Sequence, residues 1–199
     1  LILIAVVILP GCASLRSTST APEVEPWSQR LPELQQLQHF DIDGRVAASN
    51  GTDGFSAGLR WQQNYDQAVV DLSAPLGFGA AHIQQTENVL RVTTSKGVTL
   101  DSEAASEELR ATLGFDAPLR SLRYWLVGAS DPATPAAEQT LDTLQRLVRL
   151  EQDGWRIDYG DYTVVKKSVW LPLSLTVTHE NLRLKFVIHD WHLYSVLGD

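Results

Sequence analysis

Phe55-Ser56-Ala57-Gly58-Leu59-Arg60-Trp61, followed by Ala68-Val69-Val70-Asp71-Leu72-Ser73-Ala74, carries the reading of the fold. In the first run Phe55, Ala57, Leu59 and Trp61 share one side, with Ser56, Gly58 and Arg60 opposite. In the second, Ala68, Val70, Leu72 and Ala74 stand together against Val69, Asp71 and Ser73. Side chains of a strand alternate across the sheet, so a period of two with one dry face predicts half-buried antiparallel strands. The pattern extends in both directions. Upstream, Phe40 and Ile42 alternate with Asp41 and Asp43, and Gly44 leads into Val46. Downstream, Ala80 to Ile83 begins a strand, and Val89–Val92 and Val98–Leu100 flank a Ser95-Lys96-Gly97 turn. Leu147–Gln152 turns through Asp153-Gly154 into Trp155–Tyr159, a hairpin signal. Leu173, Leu175 and Val177, then Leu182, Leu184, Phe186 and Ile188, form two closing strands.

Three stretches change to a helical period. Trp27, Leu31, Leu34 and Leu37 mark one amphipathic face, with Pro32 either in the first turn or at a kink. Ser102–Leu113 opens on polar and acidic residues and stops at Gly114. Pro118–Val127 carries Leu119, Leu122 and Leu126 on one face beside Trp125, and Gly128 follows as its stop. Asp131 to Ala137 reads as a Pro- and Ala-rich link. The class is α+β: a long antiparallel sheet with a few helices on one side.

The 199 residues are 44% hydrophobic and 20% charged, an ordinary globular composition that fits one folded domain, expected over 27–199. Sixteen Lys and Arg stand against 24 Asp and Glu, a net charge of −8. That argues against a nucleic-acid binder, which needs a basic face. One cysteine allows no internal disulfide and no multi-cysteine metal site. Translation starts with methionine and the sequence holds none, so the expectation is a precursor lacking its first residues.

Leu1 to Leu9 are all apolar. As a helix they would reach about 14 Å, too short for a bilayer core of about 30 Å but suited to a signal-peptide core. Leu9-Pro10-Gly11-Cys12 resembles the lipobox of bacterial lipoproteins, with Leu three before the cysteine and Gly directly before it. The resemblance implies a signal peptide over 1–11 and a mature chain opening on Cys12 that carries diacylglycerol and an N-acyl group. Ala13 stands where Asp would retain a lipoprotein in the inner membrane, which points to the outer membrane. Residues 12–26, rich in Ser, Thr, Pro and Glu, read as a flexible tether.

No catalytic residue and no metal ligand set emerges. The phosphate-cradling and dinucleotide motifs are absent, and Gly128-Ala129-Ser130-Asp131-Pro132 lacks the closing Gly of a nucleophile elbow. His189 and His192 are expected on opposite faces of one strand, and His82 and His179 have no partner in the pattern. One loop is unusual: Pro75-Leu76-Gly77-Phe78 puts a leucine at the tip of a turn. Taken alone, it is read as a plug under the sheet or as an apolar finger that touches lipid.

The chain as a whole resembles the LolB family of outer-membrane lipoprotein-localisation factors. The residues that carry the resemblance are the lipobox, the Trp27 helix, Pro75-Leu76-Gly77, Leu122-Arg123-Tyr124-Trp125-Leu126-Val127-Gly128, Gly154 to Tyr162, and Leu171-Pro172 before the closing strands near Trp191. Their order and spacing, more than any one piece, are the signature. The resemblance implies an incomplete antiparallel β-barrel, a strongly curved sheet lidded by helices around an apolar cavity. It implies anchoring on the periplasmic face of the outer membrane, with no cofactor beyond the lipid on Cys12. It further implies a LolA-like periplasmic carrier as partner, client lipoproteins held by their acyl chains, and delivery to outer-membrane phospholipid through a protruding Leu76. A monomer and no enzymatic activity are expected. Trp61, Leu119, Leu122, Trp125 and Leu126 are candidates to line the cavity, or to pack on one another in a dry core. The alternatives from other classes are an acyl-ester hydrolase of the envelope and a structural assembly lipoprotein.

Overall fold

The computed structural model describes residues 24–73, 80–113, 118–166 and 169–194. Chain order begins with α1 (Trp27–Gln35), β1 (His39–Ser49), β2 (Gly54–Asn64), β3 (Gln67–Ser73) and β4 (Ala80–Gln85). It continues through β5 (Leu90–Thr94), β6 (Thr99–Asp101), α2 (Ser102–Leu113) and α3 (Leu119–Leu126). The second half is strand: β7 (Ala136–Leu141), β8 (Leu147–Gln152), β9 (Trp155–Tyr159), β10 (Tyr162–Val165), β11 (Val169–Pro172), β12 (Ser174–His179) and β13 (Leu182–Leu193). Eleven strands form one sheet in the order β6-β5-β4-β3-β2-β1-β13-β12-β9-β8-β7, and β10 pairs with β11 alone. Every ladder is antiparallel. β6 and β7 remain as edges, so the curved sheet is an incomplete barrel, as expected.

The alternation seen in sequence is the inner face of this sheet. One cross-strand row runs Trp191, Ile42, Trp61, Val70, Ile83, Val92, Leu100 over β13, β1, β2, β3, β4, β5 and β6. Ile42, Trp61, Val70, Ile83 and Val92 are all buried. Each such side chain contributes roughly 1.5–3 kcal/mol relative to exposure, and the rows hold the strands in register. A second row runs Val46, Phe186, Leu175, Tyr159 toward the opposite half.

Curvature has a local cause. Asp43 pairs with Asp190 but Gly44 pairs with Ile188, so His189 is an extra residue on β13. A bulge of this kind bends and twists the strand that carries it. Gly44 lies opposite, and a Cβ there would meet the Val187 carbonyl oxygen at 2.3 Å. Only glycine tolerates that approach.

The helices cover the sheet. α2 packs on β5 and β6, burying Ala105 and Leu109. α1 buries Leu34, and Trp27 Nε1 donates to Gln139 Oε1 on β7 at 2.8 Å. Arg30, also buried, donates to the Trp170 carbonyl on β11 at 3.0 Å, and desolvation pulls its pKa below the ordinary arginine value.

Several expectations change. α1 begins at Trp27, so Pro32 lies inside the helix rather than in its first turn. It ends before Leu37, which packs on the core from the following turn. β7 replaces the end of the expected link; as an edge strand with most side chains in water it shows no alternation. β10 and β11 form a hairpin too short to declare a period. The bulge shifts the parity of β13, so His189 and His192 are both exposed rather than on opposite faces. His82 and His179 do have partners: His82 Nδ1 meets Asp71 Oδ1 at 2.6 Å, and His179 stacks on Trp155 at 4.8 Å.

Candidate functional site

Beneath α3 the inner face lines a partly open apolar cavity of about 50 Å³. Its walls are Val46 from β1, Phe55, Leu59 and Trp61 from β2, Val70 and Leu72 from β3, Ile83 from β4, and Leu184 and Phe186 from β13. Leu119 and Leu122 of α3 close it from above. The strand side chains converge because each occupies an inward position of the period-two pattern. No polar side chain appears among these walls, so a ligand here is held by burial of apolar surface alone.

Trp125 and Leu126, one turn further along α3, are fully buried but do not line this cavity. Trp125 Nε1 donates to Gln152 Oε1 at 2.9 Å, and its ring lies 6.0 Å from Trp155. Gln152, 1% exposed, also accepts from Asp131 N and donates to the carbonyls of Asp131 and Thr134. This carboxamide ties the end of α3 and the segment after it to β8. The helix stop itself is a Schellman motif: Gly128 N donates to Trp125 O and Ala129 N to Tyr124 O, with Gly128 at φ +78°.

A second hollow, about 320 Å³, adjoins the first and shares Leu119 as a wall. Along β2, β3 and β4 the inward residue next to Trp61, Val70 and Ile83 is Gln63, Ala68 and Gln85, and these three pair across the sheet. Arg120, Arg123 and Tyr124 of α3 stand on its wall, with Asp66 and Glu87 beside them. Gln63 is buried and engaged: it accepts from Trp61 Nε1 at 2.9 Å and donates to Tyr65 O at 2.7 Å. Arg123 donates to the same carbonyl at 2.7 Å and lies over the Tyr124 ring at 4.3 Å. Gln85 Oε1 is buried without a partner. Sequence reasoning missed this hollow; the signal that could have found it is Gln63, a polar residue at the position that continues the inward alternation of Leu59 and Trp61.

Of the residues singled out in the sequence, Trp61, Leu119 and Leu122 meet around the apolar cavity. Cys12 and the loop residues Pro75, Leu76, Gly77 and Phe78 lie outside the described residues. Among the described residues no cluster of three His, Cys, Asp or Glu is placed to hold a metal ion. None of their helices is long and apolar enough to cross a membrane. The His82–Asp71 pair sits on the outer face, with side chains 40% and 48% exposed, away from both hollows.

Comparison with known proteins agrees with this architecture. The chain is 32% identical over 194 residues to the outer-membrane lipoprotein LolB of Nitrosococcus oceani, covering 97% of this chain and 96% of that protein. Solved structures share the fold at low identity. One is a putative outer membrane lipoprotein-sorting protein domain from Vibrio parahaemolyticus, with TM-score 0.56 and 9% identity over 87% of this chain and 93% of that one. Another is a LolA superfamily protein from Nitrosomonas europaea, with TM-score 0.55 and 6% identity over 87% and 96%. The family described as Outer membrane lipoprotein LolB matches residues 38–191, which take in both hollows and all of the large sheet but the end of β13, and the chain belongs to that family.

Proposed function

We propose that this chain is a lipid-anchored receptor on the periplasmic face of the outer membrane, which accepts lipoproteins from a LolA-like carrier and inserts them into the inner leaflet. The observation that carries the reading is the wholly apolar cavity under α3 in a chain of the LolB family. A triacylated lipoprotein exposes on the order of forty methylenes, each costing about 0.8 kcal/mol in water, so passage through the periplasm needs an apolar shelter. The walls of the cavity offer one, and no nucleotide motif is present in the sequence to drive transfer. Transfer then runs downhill, from carrier to this protein to bilayer, by difference in affinity.

At about 50 Å³ the cavity holds little more than one water's share of liquid volume, about 30 Å³. Acyl chains therefore enter as α3 withdraws. Leu119 and Leu122 sit over the cavity, whereas the Trp125 end is tied to Gln152, so α3 swings about its C-terminal end. Acylated Cys12 and the tether hold the body at the membrane, and Leu76 engages lipid for release. The net charge of −8 suits a basic docking face on the carrier.

The test uses the chain with Cys12 replaced by Ala, incubated with a carrier–lipoprotein complex. Lipoprotein should move to the chain, and the unsubstituted, acylated form should pass it on to phospholipid liposomes. Lipoprotein that stays with the carrier refutes the reading. Mass spectrometry of the native protein should find Cys12 as the acylated N-terminus; cleavage elsewhere removes the anchor from the proposal.

A further inference from the structure

The inner face changes character within one step along three neighbouring strands. Trp61, Val70 and Ile83 wall the apolar cavity, and the next inward residues, Gln63, Ala68 and Gln85, wall the second hollow. Leu119 divides the two. A molecule lying across Leu119 would have its apolar part in one compartment and its polar part in the other. Resting on the receptor reading above, we infer that the second hollow is the seat of the client's polar head: the N-acylated, S-glycerylated cysteine, with its amide and ester groups.

Three observations support an amide–ester head. Gln85 Oε1 is buried with no hydrogen-bond partner, an arrangement that costs free energy until a donor arrives. The N–H of an acylated cysteine is such a donor, and its carbonyl serves if the carboxamide is turned over. Ala68, between Gln63 and Gln85 in the cross-strand row, puts only a methyl group between the two carboxamides. Arg120, exposed on α3, makes no hydrogen bond or ion pair among the described residues, while its neighbour Arg123 is committed to Tyr65 and Tyr124. Arg120 is thus the guanidinium free to donate to ester carbonyls.

Charge selects between lipid sources. Asp66 and Glu87 share the wall with Arg120 and carry no ion pair among the described residues. An anionic phosphate would face both carboxylates, whereas the head of an acylated cysteine carries no charge. The hollow therefore favours lipoprotein over anionic phospholipid, so bulk membrane lipid competes poorly with the client.

The experiment uses the full chain carrying Cys12→Ala, which removes its own acylated cysteine as a competitor. Three probes are titrated: a tripalmitoyl-S-glyceryl-cysteinyl peptide, a fluorescent fatty acid, and phosphatidylglycerol. Adding Gln85→Leu or Arg120→Gln should weaken lipopeptide binding by about five- to tenfold, the worth of one desolvated hydrogen bond. Fatty-acid binding should change less than about twofold in the Gln85→Leu variant, since the apolar cavity is untouched. Gln85→Leu should leave thermal stability equal or higher, because a buried unpartnered carbonyl oxygen is lost; Arg120→Gln, at the surface, is the control should that variant fold poorly. Unchanged lipopeptide binding in both variants, or equal losses for the lipopeptide and either other probe, overturns the seat. If the unsubstituted cavity binds neither lipopeptide nor fatty acid, the receptor reading itself falls.

Discussion

Replacing Gln152 by Leu is the sharpest test of how the cover of the cavity is held. Gln152 is 1% exposed and satisfies all of its partners inside the protein: Trp125 Nε1, Asp131 N, Asp131 O and Thr134 O, at 2.9, 2.9, 2.8 and 2.6 Å. Leucine preserves the volume and removes every one of these bonds. Each is worth about 1 kcal/mol net, and a buried group left without a partner costs about 1–3 kcal/mol. Trp125 is fully buried and Asp131 nearly so, whereas Thr134 is only half-buried and can turn to water. The expected loss is about 3–4 kcal/mol, or roughly 6–16 °C in melting temperature for a domain of this size. Urea unfolding followed by tryptophan fluorescence measures it. Trp125→Phe leaves the bonds between Gln152 and the 131–134 segment in place and should cost about 1–2 kcal/mol. Faster amide exchange at Gly128 and Ala129 in the Gln152 variant would show that the end of α3 has come loose. A loss below about 1 kcal/mol, or one no larger than that of Trp125→Phe, would refute the anchoring argument.

Other substitutions separate uptake, delivery and stability. Leu122→Glu places a carboxylate in a buried wall with no polar partner, so uptake of lipoprotein should fall roughly tenfold; undiminished uptake by a variant that still folds would remove Leu122 from the acyl path. Leu76→Glu reverses a transfer term of roughly 1.5–3 kcal/mol, so delivery to liposomes should drop while uptake from the carrier survives; delivery at the parental rate would leave the loop without a role. Asp142 is partly buried, which raises its pKa, but hydrogen bonds from the Arg146 side chain and from the backbone N–H groups of Arg146 and Leu144 outweigh this and hold it below the ordinary value. A depressed folded-state pKa gives stability that is present above the unfolded value, about 3.9, and lost as pH falls through the folded one. The stability gap between the parent and Asp142→Asn should therefore be constant near neutrality and close in acid below about pH 4; a gap that persists there refutes the assignment.

Which residues face inward along β1, β2, β3, β12 and the first part of β13 was legible from composition along a single strand, because a period of two records burial on one face. The ends of α3 were legible for a similar reason: Pro118 and Gly128 act within one turn of chain. β7 was not, since an edge strand with most side chains in water carries no alternation. His189 illustrates a deeper limit. Nothing in its neighbourhood marks it as an extra residue; it becomes one only against Asp43 and Gly44, far back in the chain. The same holds for Gln152, whose partners come from α3 and the segment after it, and for the polar hollow, where Gln63, Gln85 and Arg120 arrive from β2, β4 and α3. Alternation and helix stops are written by interactions between residues a few positions apart, so one stretch of chain contains them. Register, bulges and pockets are written by which strands become neighbours, and that follows from burying all the apolar faces at once.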